Sequence, residues 1–177
     1  MNNVRCCEML KICTPSEYAV VDLTENQGGL VLTISDGNGD IAFNGRCSDS
    51  NFQSELELAV NSFVGICGYE LNNKLKRLKQ NGVNFPYATF MCDIKEDWSM
   101  VIGDYDTGIG DWSSRTLDEL LHFYHYDCNP NNPTDRVKAV AYIALKAAEL
   151  ESPELVVKRD AQYQILRGAY NKQNRKA

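Results

Sequence analysis

The sequence predicts an α+β protein in which a mostly antiparallel sheet of about five strands packs against a long central helix and three C-terminal helices. Apolar residues alternate with polar ones early in the chain, which is typical of strands, and later recur at helical spacing. Strands and helices are grouped rather than alternating singly, which favours α+β over a doubly wound fold. With 177 residues, 44% of them hydrophobic, the chain suits one domain over residues 1–177, and residues 170–177 are expected to fray.

The first three strands have the clearest pattern. Residues 18–24, "YAVVDLT", are rich in β-forming side chains. Leu30, Leu32 and Ile34 then alternate with other residues, and the alternation resumes at residues 41–43 after a turn. This order predicts consecutive antiparallel strands.

Two later segments, residues 87–94 and 98–105, predict another pair of strands. The residues that share one face in each segment are Ala88, Phe90, Cys92 and Ile94, and then Trp98, Met100 and Ile102. The short polar link at residues 95–97 indicates that the two strands form a hairpin.

The long central helix is predicted from residue 50 to residue 81. Ser50 and Gln53 form a capping-box pattern, and Asn81-Gly82 is a typical helix end. The apolar residues at helical spacing are Phe52, Leu56, Val60, Phe63, Cys67, Leu71, Leu75 and Leu78. Gly65 and Gly68 inside this pattern mark a kink, a break or a close approach by another segment.

Three helices are predicted after residue 115. Thr116 and Glu119 form a second capping box, which opens a helix over 117–127. Pro133 occupies a typical first helical position, and Ser152-Pro153 begins a fourth helix.

The segment "DGNGD", residues 36–40, admits three interpretations. A dinucleotide-binding loop requires a helix to begin there, but another strand pattern follows. An EF-hand loop requires Gly at its sixth position and Glu at its twelfth, where this chain has Ile41 and Cys47. A hairpin turn explains the same residues, because Gly and Asn accept positive φ and Asp bonds the nearby backbone.

Charge is unevenly distributed along the chain. The net charge is −6, made up of +3 in residues 151–177 and −9 in residues 1–150. The acidic body repels nucleic acid and attracts basic surfaces, so that nucleic acid is a candidate partner only for the basic helix at 158–176. No segment resembles a signal peptide or a membrane span, which predicts a cytoplasmic protein with no membrane partner and reduced cysteines.

An acidic and aromatic segment is the predicted binding site. Residues 93–119 contain eight acids and two bases. Acidic side chains around the edge of an interface speed the approach of a basic partner, while aromatic side chains at its centre supply most of the affinity. The predicted protein-binding residues are Trp98, Asp104, Tyr105, Asp106, Asp111 and Trp112.

Catalysis and metal binding are the alternatives. A small enzyme could use the Asp104/Asp106/Asp111 loop or the pair His122 and His125, which lie three residues apart on a helix. No hydrolase elbow or zinc-protease motif is present. A zinc site would have to draw its four ligands from Cys6, Cys7, Cys13, His125 and Cys128, and the chain has no Cys-x-x-Cys pair of the kind that structural zinc sites use. Neither a metal nor another cofactor is therefore expected. Cys67 and Cys92 fall on apolar faces and are predicted to be core.

The stretch "LVLTISDGNGDIAFNG", with the helix pattern that follows it, resembles small bacteriophage-encoded proteins. The residues that carry this resemblance are Thr33-Ile34-Ser35-Asp36, Phe43, Phe52, Leu56 and Lys74-Leu75, with Asn44 where those proteins often have Trp. The resemblance implies an accessory phage product, such as an inhibitor of a host defence system, and supplies no catalytic residues. The sequence therefore favours a protein-binding accessory or inhibitor over an enzyme, with an oligomeric state that it does not define.

Overall fold

The computed structural model describes residues 10–97, 104–106 and 111–149. The strands are β1 (Tyr18–Asn26), β2 (Gly29–Asp36), β3 (Ile41–Arg46), β4 (Gly65–Gly68), β5 (Phe90–Asp93), β6 (Asp104–Asp106) and β7 (Asp111–Ser113). The helices between and after them are α1 (Phe52–Val60), α2 (Leu71–Gln80), α3 (Ile94–Asp97), α4 (Leu117–Phe123) and α5 (Pro133–Glu149), and Pro15–Glu17 forms a 3-10 turn.

Strands β1 to β5 form one sheet in the order β3-β2-β1-β4-β5. The β1–β2 and β2–β3 pairs are antiparallel, and the β1–β4 and β4–β5 pairs are parallel. The β1–β2 ladder is long, from Ala19↔Asp36 to Asn26↔Gly29, whereas the β1–β4 ladder ends at Val20↔Cys67. Most of the pairing is therefore antiparallel, and the predicted α+β class is confirmed.

Helices cover both faces of this sheet because the side chains of β1 alternate between two apolar clusters. Tyr18 and Val20 belong to a cluster completed by α4 and α5. Ala19 and Val21 belong to a second cluster completed by α1 and α2. Within the part of the chain that the structure describes, no helix is long and apolar enough to cross a membrane.

The predicted long central helix is wrong, because β4 divides it into α1 and α2. Glycine makes the division possible. A Cβ on Gly65 would lie 2.2 Å from the Phe90 ring, and a Cβ on Gly68 would lie 2.7 Å from the carbonyl oxygen of Val21. The helical periodicity persists on both sides of β4 because α1 and α2 face the same apolar cluster.

Two local predictions around these elements are also wrong. The capping box at Ser50 does not form, since Asn51 is the N-cap and its side chain makes no capping bond. Residues 94–97 form the helical turn α3 instead of a hairpin link, and β5 pairs in parallel with β4. Trp98, Met100 and Ile102 lie outside the described residues.

The later helix starts are confirmed. The hydroxyl of Thr116 accepts the backbone N–H of Glu119, whose carboxylate accepts the N–H of Thr116, as a capping box requires. Helix α5 begins at Pro133. Helix α4 ends at Phe123, four residues before the predicted end. The predicted helix after Ser152 lies outside the described residues, as do the basic segment 158–176 and residues 170–177.

The segment at residues 36–40 is the turn between β2 and β3, as predicted. The Oδ1 atom of Asp36 accepts the backbone N–H of Asn38 and of Asp40, each at 2.9 Å. The backbone N–H of Gly39 donates to the carbonyl of Asp36 at 3.1 Å, and Gly39 has a φ of +91°. Asp36 therefore organises the turn through its own side chain.

Candidate functional site

Five of the six predicted binding residues lie on a hairpin separate from the five-stranded sheet. Strands β6 and β7 pair antiparallel, with Tyr105 opposite Trp112 and Asp106 opposite Asp111. Alternation along a strand places Asp104, Asp106 and Asp111 at register positions of one face and the two aromatic residues at those of the other. The sixth residue, Trp98, lies outside the described residues.

The rest of the acidic segment 93–119 is partly committed to internal bonds. Asp93 is buried, with 4% of its surface exposed, and accepts the backbone N–H of Asn72 at 2.9 Å. Burial raises the pKa of the Asp93 carboxyl, and its bonds to backbone N–H groups act in the opposite direction. Glu96 accepts the Asn72 amide at 2.6 Å, and Glu119 caps α4. Asp93, Glu96 and Glu119 therefore have structural roles, in hydrogen bonds to α2 and at the start of α4.

A buried charge network lies next to the point where the parallel strands end. Asp22 of β1 is completely buried. The Nζ atom of Lys74, on α2, donates to Asp22 Oδ1 at 2.6 Å and to the Tyr69 carbonyl at 2.5 Å. The Nε atom of Arg136, on α5, donates to Asp22 Oδ2 at 3.1 Å. One carboxylate therefore joins the central strand to a helix on each face of the sheet.

Glu70 adds a second ion pair at this edge. It precedes α2 with a φ of +56°, in the left-handed region that non-glycine residues rarely adopt. Its carboxylate accepts the Lys95 ammonium, which ties the end of β4 to α3. The charged side chains at this edge thus form ion pairs with one another, and these pairs hold the strands and helices together.

The two histidines named as an alternative site do come together. His122 and His125 line one open cavity of about 510 Å³ at the end of α4, beside Asp118, Tyr126, Asp127 and Cys128. The helix ends in a Schellman motif, since the N–H of Tyr126 donates to the carbonyl of Leu121 and the N–H of His125 to that of His122. His125 occupies the left-handed position, with a φ of +53°, where glycine is usual.

The cysteines do not provide an activated nucleophile at this cavity. Burial raises the pKa of the Cys128 thiol, with Arg136 opposing the shift and Asp118 and Asp22 adding to it. Since the thiolate is the nucleophilic form, this environment disfavours Cys–His catalysis. Cys67 and Cys92 are fully buried, which confirms that they are core.

Metal-ligating side chains are not grouped in the residues that the structure describes. No cluster of three or more His, Cys, Asp or Glu side chains there is placed to hold a metal ion. Cys13 is half-buried near the start of the described chain, and burial raises its pKa. Cys6 and Cys7 lie outside the described residues.

Sequence reasoning missed the Asp22 network, although the strand contained a sign of it. An acid inside the apolar run "YAVVDLT" must find partners if the strand is buried. Those partners are 52 and 114 residues away along the chain, so no local pattern could identify them. Asp127, which lines the cavity, is only two residues from His125, but it belongs to no helical or strand pattern.

No family model, curated protein or solved structure matches this chain. Function therefore rests on the chain's own residues.

Proposed function

We propose that this protein binds a basic surface of another protein through the β6–β7 hairpin. The observation that carries the proposal is the register of the hairpin, with Asp104, Asp106 and Asp111 at positions of one face and Tyr105 opposite Trp112 on the other. An acidic face steers a basic partner during encounter, and aromatic residues supply contact area.

The opposed acids on the hairpin support this proposal energetically. Asp106 lies directly opposite Asp111, and like charges in that position cost roughly 0.2–1 kcal/mol. A two-stranded hairpin is itself only marginally stable in water. Contact with cationic side chains would relieve the repulsion and stabilise the hairpin, so partner binding offsets a cost that the free protein bears.

Protein is favoured over nucleic acid as the partner because of the charge of the body. Residues 1–150 carry −9, which repels a phosphate backbone. An accessory protein that inhibits a host defence system, as the phage resemblance implies, is the concrete form of the proposal. A protein of that kind acts by occupying a partner's surface and needs no catalytic group of its own.

The test begins with affinity capture from host cells, followed by direct binding of the captured protein in purified form. Replacing Asp104, Asp106 and Asp111 with Asn should slow association and flatten its salt dependence, because exposed charges act over roughly 8–10 Å. Trp112→Ala should weaken binding by about 2 kcal/mol or more if its ring is the central anchor.

The matched control removes three acids elsewhere, as Asp40→Asn, Glu55→Gln and Glu57→Gln, from exposed positions on the β2–β3 turn and α1. This control should leave association within about twofold of wild type. Circular dichroism must show that each variant is folded. Partner binding that is equal in wild type, the hairpin variants and the control would place the interface elsewhere and contradict the proposal.

A further inference from the structure

The cavity at the end of α4 has a charge pattern that selects a cation. Asp118 on α4 and Asp127 beyond it both line the cavity. Neither carboxylate forms a salt bridge with any cation in the described part of the chain. Arg136 is the neighbouring base that acts on Cys128, but its Nε is bonded to Asp22. Two carboxylates therefore face this cavity without an ion-pair partner among the described residues.

Aromatic rings form the adjoining surface, and they already hold cations. Tyr126, which lines the cavity, stacks on Tyr142 with a centroid distance of 4.6 Å and an interplanar angle of 28°. The Lys146 ammonium lies 5.6 Å from the centroid of that Tyr142 ring, and the Arg115 guanidinium lies 5.2 Å from the centroid of Phe123. Tyr142, which packs against the cavity-lining Tyr126, and Phe123 of α4 thus each have a cation over the ring face, as the ring quadrupole predicts.

We infer that this cavity binds the guanidinium group of an arginine side chain presented by the basic partner. Guanidinium is planar, is weakly hydrated, stacks on aromatic faces and donates in a fork that matches a carboxylate. A cavity with two carboxylates and a tyrosine wall offers each of these contacts. Lysine is a compact, strongly hydrated charge and matches the same walls less well.

This inference rests on the proposed function, since the arginine belongs to the partner that the hairpin recruits. The hairpin precedes the cavity closely in the sequence, since β7 ends at Ser113 and the cavity is lined by α4, which begins at Leu117, and by residues 125–130. Free guanidine-bearing metabolites share the same chemistry as an arginine side chain. Separate arms of the experiment distinguish these two sources.

The chain provides its own reporter for the test. It contains two histidines, His122 and His125, and both line the cavity. Imidazole NMR resonances therefore report on this cavity without assignment of the rest of the protein. The probe is N-acetylarginine amide, titrated at constant pH near 8, and its matched control is N-acetylcitrulline amide, which has nearly the same shape and no charge.

The expected result is a saturable shift of both imidazole signals with the arginine probe and at least about tenfold weaker binding of the citrulline probe, since a charge-assisted hydrogen bond is worth about that factor or more. Asp118→Asn with Asp127→Asn should weaken arginine binding at least about tenfold. Asp40→Asn with Asp49→Asn, elsewhere on the surface, should leave it within twofold. Equal shifts with both probes, or no effect of the cavity variants, would overturn the inference.

A basic peptide containing one arginine distinguishes the two sources of guanidinium. Tighter binding of the peptide than of the arginine amide, with the gain lost in the Asp104/Asp106/Asp111 Asn variant, supports a partner's side chain. A peptide that binds no more tightly than the amide overturns that assignment. The hairpin variant should bind the arginine amide as wild type does, so a failed hairpin and a failed cavity give different results.

Discussion

Replacing Asp22 with Asn is expected to be the most damaging conservative substitution at the buried network. Asn keeps the shape of the side chain and removes its charge, while Lys74, 9% exposed, keeps its own charge and loses its carboxylate. Removing one partner of a buried ion pair costs about 3–5 kcal/mol. Since domains of this size lose roughly 2–4 °C of Tm per kcal/mol, Tm should fall by about 6–20 °C.

Urea unfolding followed by circular dichroism measures the effect, and Glu25→Gln is the matched control. Glu25 pairs with Arg77 at 2.7 Å, but the two side chains are 66% and 46% exposed. An exposed pair of this kind contributes at most about 1 kcal/mol, so the control should unfold near wild type. Each variant loses one carboxylate, but Asp22 is buried and pairs with both Lys74 and Arg136, whereas Glu25 is exposed and pairs with Arg77 alone.

A double-mutant cycle with Lys74→Met separates the ion pair from general disruption. The double variant Asp22→Asn/Lys74→Met should lose less stability than the sum of the single losses, with a coupling of about 1–3 kcal/mol, because neither charge then remains buried and unpaired. An Asp22→Asn variant within 1 kcal/mol of wild type, or a cycle with no coupling, would refute the reasoning that the network locks β1 to α2.

Three further tests concern Asp36 in the β2–β3 turn, the buried carboxylate of Asp93, and His125 with its left-handed backbone. Asp36→Ser should lower the free energy of unfolding by about 1 kcal/mol through its lost bonds to the turn, and exposed Asp40→Ser by under about 0.5 kcal/mol; equal effects in urea would contradict the assigned role of Asp36. Burial raises the pKa of the Asp93 carboxyl, so the folded state binds a proton there more tightly than the unfolded chain does. The wild type should therefore gain stability relative to Asp93→Asn as the pH falls from about 7 to about 4. A difference in the free energy of unfolding in urea that does not change with pH would contradict this. His125→Gly should leave stability unchanged or raise it by up to about 1 kcal/mol, since glycine adopts a φ of +53° without strain; a loss of 1 kcal/mol or more would show that the imidazole packs.

The sequence predicts the strands better than the helices that lie between them. Strands β1 and β2 are runs of nine and eight residues rich in β-forming side chains, and β3 resumes the apolar alternation after the turn. Strand β4, "GICG", is only four residues long and half of it is glycine, so it has little strand propensity to detect. Since the helices on either side face one apolar cluster, their shared spacing conceals the strand.

The candidate sites also differ in how far the sequence predicts them. The acids and aromatic residues of the β6–β7 hairpin are visible as a local pattern, but their pairing is not, since the sequence predicts a strand over 98–105 paired with 87–94 whereas β6 pairs with β7. The Asp22 network joins residues from β1, α2 and α5, and the sequence does not place those elements side by side. The sequence predicts the two histidines as neighbours on one helix. In the structure α4 ends at Phe123, so that His122 lies on the helix and His125 lies in the motif that ends it.

Arg136 connects the buried Asp22 network with the cavity at the end of α4. That side chain bonds Asp22 in the core and acts electrostatically on Cys128 in the cavity wall. A binding cavity needs walls whose positions are fixed by their own supporting contacts. Asp22 supplies this support by holding α5 to the central strand through Arg136. Asp118 and Asp127, which form no salt bridge among the described residues, are then the carboxylates that the proposed guanidinium would contact.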